Sequence, residues 1–412
     1  MPDDPTTQPL PRLRAIDIVP VQQGRRQMLV LRDPSGLTPN AVMVSGGMLL
    51  ILRMLDGKHT IREIQTALAR QTGELVMSTQ IEQIIGQLDE ALLLDSPRME
   101  EHRRQRLAEY RASGVRPCTH AEGAYPTDPA AFAQTVDEWL AALPPRASTP
   151  EGRLVGLIAP HIDFARGSAS YAHAYRDLAE TCDADLFVIL GTDHHGDTQF
   201  AATRCDFDTP LGRVRTSVET LDRLQASFVG DLFEGELQHL GEHTIEFQAV
   251  LLQHFLGGKR DFEIVPLLCG NLGEDIEAGE SRPQDAEVLS LIDCLRALIG
   301  DTSRKVCVIA SADLSHVGPR FGDNRALTPG YLGSVEQHDR AVLDHAVSGR
   351  PDDMFSVVSA RRNDTNICGL APIYIMLKAL GECRGELLDY RQAASPDGQQ
   401  CVTFAAASFW RD

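Results

Sequence analysis

Three short segments pair an apolar run with residues able to bind a metal or carry a proton. Leu186 to Leu190 is continuously apolar, breaks at Gly191, and is followed by Thr192, Asp193, His194 and His195. Val155-Gly-Leu-Ile-Ala-Pro160 leads into His161 in the same way, and Val306-Cys-Val-Ile-Ala-Ser311 leads into Asp313 and His316. Unbroken apolar runs of this length read as strands buried on both faces. The carboxyl end of such strands is where open α/β sheets bind ligands. One histidine after one strand is unremarkable; histidines after three strands point to a shared site. Adjacent residues after a strand point in different directions, so only one of His194 and His195 serves as a ligand.

These ends need a sheet to hold them, and 412 residues is length enough for two or three domains. From 117 onward, apolar strand-like runs alternate with helix-like stretches at Thr216 to Ser227, Glu242 to Phe255, Gln284 to Ile299, Val335 to Val347 and Pro372 to Leu380. That alternation predicts an α/β fold, a mixed or parallel sheet sandwiched by helices. A proline-rich linker, Pro144 to Pro150, precedes the first strand.

Composition excludes several classes. No apolar run is long enough for a membrane span, and Met1-Pro-Asp-Asp-Pro lacks the basic and apolar regions of a signal peptide, which predicts a cytoplasmic protein with no membrane partner. A net charge of −19 repels phosphate backbones, so no nucleic-acid partner is expected. The nine cysteines include no Cys-x-x-Cys pair, against both a disulfide framework and a cysteine-rich zinc module.

The first quarter of the chain has a different pattern. Residues 1–26 read as a loose lead-in. In 27–99, Gln27 to Leu31 reads as a strand and Val42 to Leu55 as an apolar helix ending at Asp56-Gly57. Thr60 and Glu63 have capping-box spacing for a second helix, and Ile81, Ile84, Ile85, Leu88 and Leu92 fall at helical spacing for a third. Leu55-Asp56-Gly57 with Thr60, Ile61 and Ile64 resembles the PqqD-like winged-helix domains, small α+β modules that grip leader peptides, which implies a peptide or protein partner. Residues 100–116 read as a charged linker helix.

In the remainder, 117–412, Glu122-Gly-Ala-Tyr-Pro126, Ala159-Pro160-His161, Gly191-Thr-Asp-His-His195, Glu242-His-Thr-Ile-Glu246, Ser311-Ala-Asp-Leu-Ser-His316 and Cys368-Gly369 occur in the order of the Memo family, which includes AmmeMemoRadiSam system protein B. The family is similar in fold to class III extradiol dioxygenases. The resemblance implies metal ligands at His161, His194 and Cys368, with Asp313, His316 and His243 around them. It also implies an association with radical-SAM and AMMECR-type partners. Where the family commonly has Gly-Tyr after the first histidine, this chain has Asp163-Phe164, and Asp163 either joins the metal shell or caps the next helix.

Two imidazoles and a thiolate suit a divalent transition metal and leave one coordination position open. Cys368 precedes a helix, whose dipole would favour thiolate. A thiolate in place of the dioxygenases' carboxylate donates more charge and is itself oxidisable, so the site suits redox metal handling at least as well as oxygen insertion, with iron or copper expected rather than zinc. His316 is the expected general acid or base, Asp313 the carboxylate that orients a histidine or accepts a proton, and His243 a cleft residue. Helix capping and ordinary surface charge account for Glu242 and Glu246. The expected function is a metal-dependent oxidoreductase. The alternatives are a non-catalytic metal-dependent peptide-binding or assembly protein, and a zinc hydrolase.

Overall fold

The computed structural model describes residues 5–38, 41–73, 75–146 and 151–412. Part of the expected lead-in and of the proline-rich linker lies outside them. The chain divides into two compact units, Met1–Ala112 and Ser113–Asp412.

The first unit is a three-stranded antiparallel sheet with four helices: β1 (Asp17–Gln23), β2 (Arg26–Arg32), β3 (Val42–Ser45), α1 (Leu49–Met54), α2 (Ile61–Thr72), α3 (Ser78–Glu90) and α4 (Pro97–Ser113). Thr60 caps α2 as its spacing predicts. Its hydroxyl accepts from the Glu63 main-chain N–H at 3.3 Å, and the Glu63 carboxylate accepts from the Thr60 N–H at 2.8 Å. The apolar helix faces meet Leu29 and Leu31 of β2, and Ile64, Ile81, Leu88 and Leu93 are buried among them.

Two expectations are corrected here. Residues 17–23 are not loose, because they pair in full register with β2 across a two-residue turn at Gly24, whose φ of +60° suits glycine. The main-chain N–H groups of Leu13 and Arg14 also donate to Leu55 and Leu93 carbonyls. Val42 to Ser45 is a strand rather than the start of a helix, since Met28 to Leu31 offer it a partner, and helical winding begins only after it, as a 3-10 turn at Gly46–Met48 and an α-helix from Leu49.

The second unit runs β4 (Val115–Arg116), α5 (Pro129–Ala141), β5 (Arg153–Ala159), α6 (Phe164–Thr181), β6 (Leu186–Thr192), β7 (Phe200–Ala202), β8 (Asp206–Thr209), β9 (Gly212–Thr216), α7 (Val218–Ser227), α8 (Thr244–Leu256), β10 (Glu263–Cys269), α9 (Gly273–Glu277), α10 (Ala286–Gly300), β11 (Val306–Ser311), β12 (Asp313–Val317), α11 (Pro329–Val347), α12 (Pro351–Ser359), α13 (Leu370–Leu380), β13 (Arg384–Ala394) and β14 (Cys401–Arg411). Its mixed sheet has the path β12-β14-β5-β11-β6-β10-β9-β8-β4, with β13 on β14 and β7 on β10. The central β5, β11, β6 and β10 are parallel. Alternate residues of each strand enter different cores: Leu186, Val188 and Leu190 pack with α10 and α13, and Phe187 and Ile189 with α6 and α8. Both faces are thus covered, which is why these strands read as continuous apolar runs.

The antiparallel strands at the β12 edge are absent from the sequence reading. Their effect on the site is direct: Asp313 to Val317, expected as a loop, becomes a short strand because Phe404, Val402 and Cys401 of β14 pair with it, with a bulge between Asp313 and His316. Among the described residues no helix is long and apolar enough to cross a membrane.

Candidate metal centre

The parallel register places the ends of β5, β6 and β11 side by side, so His161, Thr192 and Ser311 open onto one edge. Two glycines let other segments reach that edge. A Cβ on Gly191 would meet Thr244 Oγ1 at 2.5 Å, so glycine admits the start of α8 against β6. A Cβ on Gly369 would meet the Asp313 carbonyl at 2.4 Å, so glycine admits the loop carrying Cys368 against β12.

His161, His194 and Cys368 meet there, each offering one ligand atom, and these atoms all lie within 4.8 Å of one another. His161 Nδ1 lies 3.0 Å from the Ser311 carbonyl, the arrangement in which Nδ1–H donates and Nε2 is left unprotonated. That Nε2 lies 3.3 Å from Cys368 Sγ. A tetrahedral ion with bonds of about 2.3 Å to sulfur and about 2.0 Å to nitrogen spaces such ligands by roughly 3.5 Å. The donor set therefore fits a transition metal in both chemistry and spacing.

Burial and neighbouring charged groups together shift the titration of these ligands. It pushes the His161 pKa well below the ordinary imidazole value, with the charges of His194 and His243 acting in the same direction. His194 has a side chain 26% exposed. Burial lowers its pKa, but the Glu242 carboxylate and the Cys368 thiol outweigh that and raise it well above the usual value. Burial raises the Cys368 pKa, and the His194 charge only partly offsets it. The expectation of a dipole-favoured thiolate is corrected: burial holds the Cys368 pKa above its ordinary value, although α13 begins just two residues later, at Leu370.

The residues expected around the ligands divide. His243 joins the cluster, its ring parallel to His194 within 10° at 5.3 Å and 5.6 Å from His161. Asp313 is buried beneath it, its Oδ1 accepting from the His161 main-chain N–H at 3.0 Å, and burial raises its pKa to about 6. His316 has other partners: Nδ1 faces the Leu314 carbonyl at 3.1 Å, and its ring meets Phe321 edge-on. Burial lowers its pKa to about 4, so near neutrality it accepts a proton rather than supplying one. His195 is exposed on the turn set by Asp193, and Asp163 caps α6 by accepting from the Arg166 N–H at 3.0 Å.

Two carboxylates depart from expectation. Glu242 and Glu246 are buried, at 4% and 1% exposure, not ordinary surface charge. Glu242 accepts from the main-chain N–H of His194 at 2.9 Å and of His243 at 2.8 Å. Glu246 ion-pairs with the fully buried Arg116 and accepts from the Tyr125 hydroxyl, with His120 Nδ1 2.8 Å away. Arg116 also donates to the carbonyls of His239 and Glu242, both at 2.8 Å. Their position at the entrance of a largely buried helix, Glu242 just before the N-cap His243 and Glu246 in the first turn of α8, is the signal that would have found them.

A family model described as Memo-like protein matches residues 116–408. A MEMO1 family protein of Aquifex aeolicus is 26% identical over 404 residues, 97% of this chain and 100% of that protein. One of Methanopyrus kandleri is 30% identical over 265 residues, 63% of this chain and 84% of that protein. One of Thermus thermophilus is 26% identical over 338 residues, 82% of this chain and 94% of that protein.

Proposed function

The chain belongs to the Memo family, and from that premise we propose that it holds iron or copper, in preference to zinc, between His161, His194 and Cys368 and serves as a metal-dependent oxidoreductase. The observation that carries this reading is the convergence of two imidazoles and a thiol, all within 4.8 Å, at the carboxyl ends of parallel strands. When bound, such an ion supplies one-electron chemistry beside a coordination position that three protein ligands leave open. Burial favours the protonated Cys368 thiol and the Glu242 carboxylate favours protonated His194; each must shed its proton to bind a metal, so affinity rises with pH. Asp313 steadies the His161 main chain, and the neutral His316 imidazole is available to take a proton from a substrate at the edge of the site.

The test is metal analysis of protein purified without a metal-affinity column, followed by spectroscopy of the metal under candidate aromatic or peptide substrates. Iron or copper that changes oxidation state on turnover is expected. Redox-silent zinc with hydrolysis would replace this reading with the hydrolase.

A second reading, a metal-dependent peptide-binding or assembly protein, is favoured by the first unit. There β3 is an edge strand with Met43 51% exposed, a surface suited to pairing with an extended peptide. In this reading the partners are a peptide bound by the first unit and the radical-SAM and AMMECR-type proteins that the family resemblance suggests. Metal without turnover, together with a peptide captured by this unit, would support it.

A further inference from the structure

The two histidines of the ligand set are oriented by different kinds of acceptor. His161 is held through Nδ1 by the Ser311 carbonyl at 3.0 Å, an acceptor supplied by the backbone of β11 whatever side chains surround it. His194 is held by a side chain. Glu242 Oε2 accepts from its main-chain N–H at 2.9 Å and lies 3.1 Å from its Nδ1. The other oxygen of the same carboxylate, Oε1, accepts from the main-chain N–H groups of His243 at 2.8 Å and Thr244 at 3.2 Å, and lies 3.0 Å from His243 Nδ1. The groups within hydrogen-bond distance of this buried carboxylate are thus three main-chain N–H groups and two imidazole nitrogens, with the Asp193 carboxylate also near enough to act on it.

We propose that Glu242 is the positioning residue of the centre: its two oxygens hold Nδ1–H of His194 and of His243 together, leaving Nε2 of the first as a metal ligand and Nε2 of the second as an acceptor beside it. The inference rests on the metal-site reading above. It explains why the two rings lie parallel, since one carboxylate grips both on the same edge. It also requires a carboxylate. An amide has one accepting end and one donating end, so glutamine must turn an NH2 group toward one set of N–H donors, and it faces His194, where it opposes one main-chain N–H rather than the two of His243 and Thr244. The histidine at that end then loses its orienting acceptor, or shifts its proton to Nε2 and can no longer ligate.

Cobalt(II) is the probe, because a bound cobalt thiolate absorbs by charge transfer and each ligating imidazole gives a paramagnetically shifted, exchangeable Nδ1–H resonance. Wild-type protein is expected to show the absorption and two such resonances. Glu242→Gln should bind cobalt about 10- to 100-fold more weakly, the usual loss when the partner of a ligand is removed, and should lose one resonance. His243→Ala should keep both. Folding is followed by circular dichroism. If Glu242→Gln does not fold, Glu242→Asp, which retains two acceptors, is compared with Glu242→Ala; the aspartate is expected to bind cobalt more tightly, and the reverse order would overturn the assignment. A folded Glu242→Gln with wild-type affinity and both resonances also overturns it, while leaving the metal site standing if Cys368→Ala abolishes the charge-transfer band. Wild-type protein that takes up no cobalt overturns the metal site and the role of Glu242 together.

Discussion

The two units of this chain are specified over different ranges of sequence. In the first, many determinants are close neighbours: Thr60 and Glu63 cap one another, and β1 and β2 are joined across Gly24. In the second, the contacts that bring the candidate ligands together are long-range. His161 meets Cys368 across 207 positions, and Arg116 meets Glu246 across 130. Local order can form before the chain closes, whereas a site of distant residues exists only once the sheet is complete. Metal binding should therefore report on the second unit's fold, and changes in the first should leave it untouched.

The largest expected effect comes from the buried ion pair. Arg116→Ala leaves the buried Glu246 carboxylate without its guanidinium partner, which costs about 3–5 kcal/mol. Both tryptophans, Trp139 and Trp410, lie in the second unit, so urea unfolding followed by tryptophan fluorescence reads it selectively. The same pair sets an acid dependence. Burial raises the Glu246 pKa, but Arg116 and His120 outweigh that and hold it at about 2, below its ordinary value of 4.5. Its stabilising contribution is thus present above pH 4.5 and is lost as the pH falls towards 2. Glu246→Gln should flatten that part of the profile, and an unchanged slope would remove Glu246 as its source.

Next in size is the core of the first unit. Ile64 is fully buried, and Ile64→Ala should destabilise this unit by about 2–5 kcal/mol. Hydrogen exchange of α2 and α3 should accelerate while the tryptophan midpoint and metal content stay constant; a parallel fall in either would break the contrast between the units. Cys368→Ala or His161→Ala should then lower metal affinity by at least about 10- to 100-fold, read by chelator competition. Full occupancy in both folded variants would mean that the centre lies elsewhere. The smallest effect is at the α2 cap. Thr60→Ala should cost about 1 kcal/mol, visible as faster exchange in the first turn of α2 and absent from the second unit.

Much of the scaffold was legible. Capping spacing located α2, and unbroken apolar runs located β5, β6 and β11, because strands covered on both faces have no polar side to show. Less was legible where pairing rather than propensity decides. Val42 to Ser45 looks helical until β2 stands beside it, and Asp313 to Val317 looks like a loop until β14 does. Glu242 and Glu246 were hardest to read, since a glutamate near a helix start is ordinarily solvated and these two are buried with partners distant in sequence.

By itself the sequence determined that histidines follow three buried strands, that His161, His194 and Cys368 stand at Memo-family positions, and that the first hundred residues are a separate kind of module. These are matters of period, spacing and residue type, which act locally. Tertiary structure alone decided that the three candidate ligand groups face one another, that burial raises the Cys368 pKa, and that one carboxylate faces both His194 and His243. Each of those outcomes depends on burial and on the distance between segments that meet only in the folded sheet. Solvation and Coulomb interactions are set by position in space rather than by order along the chain.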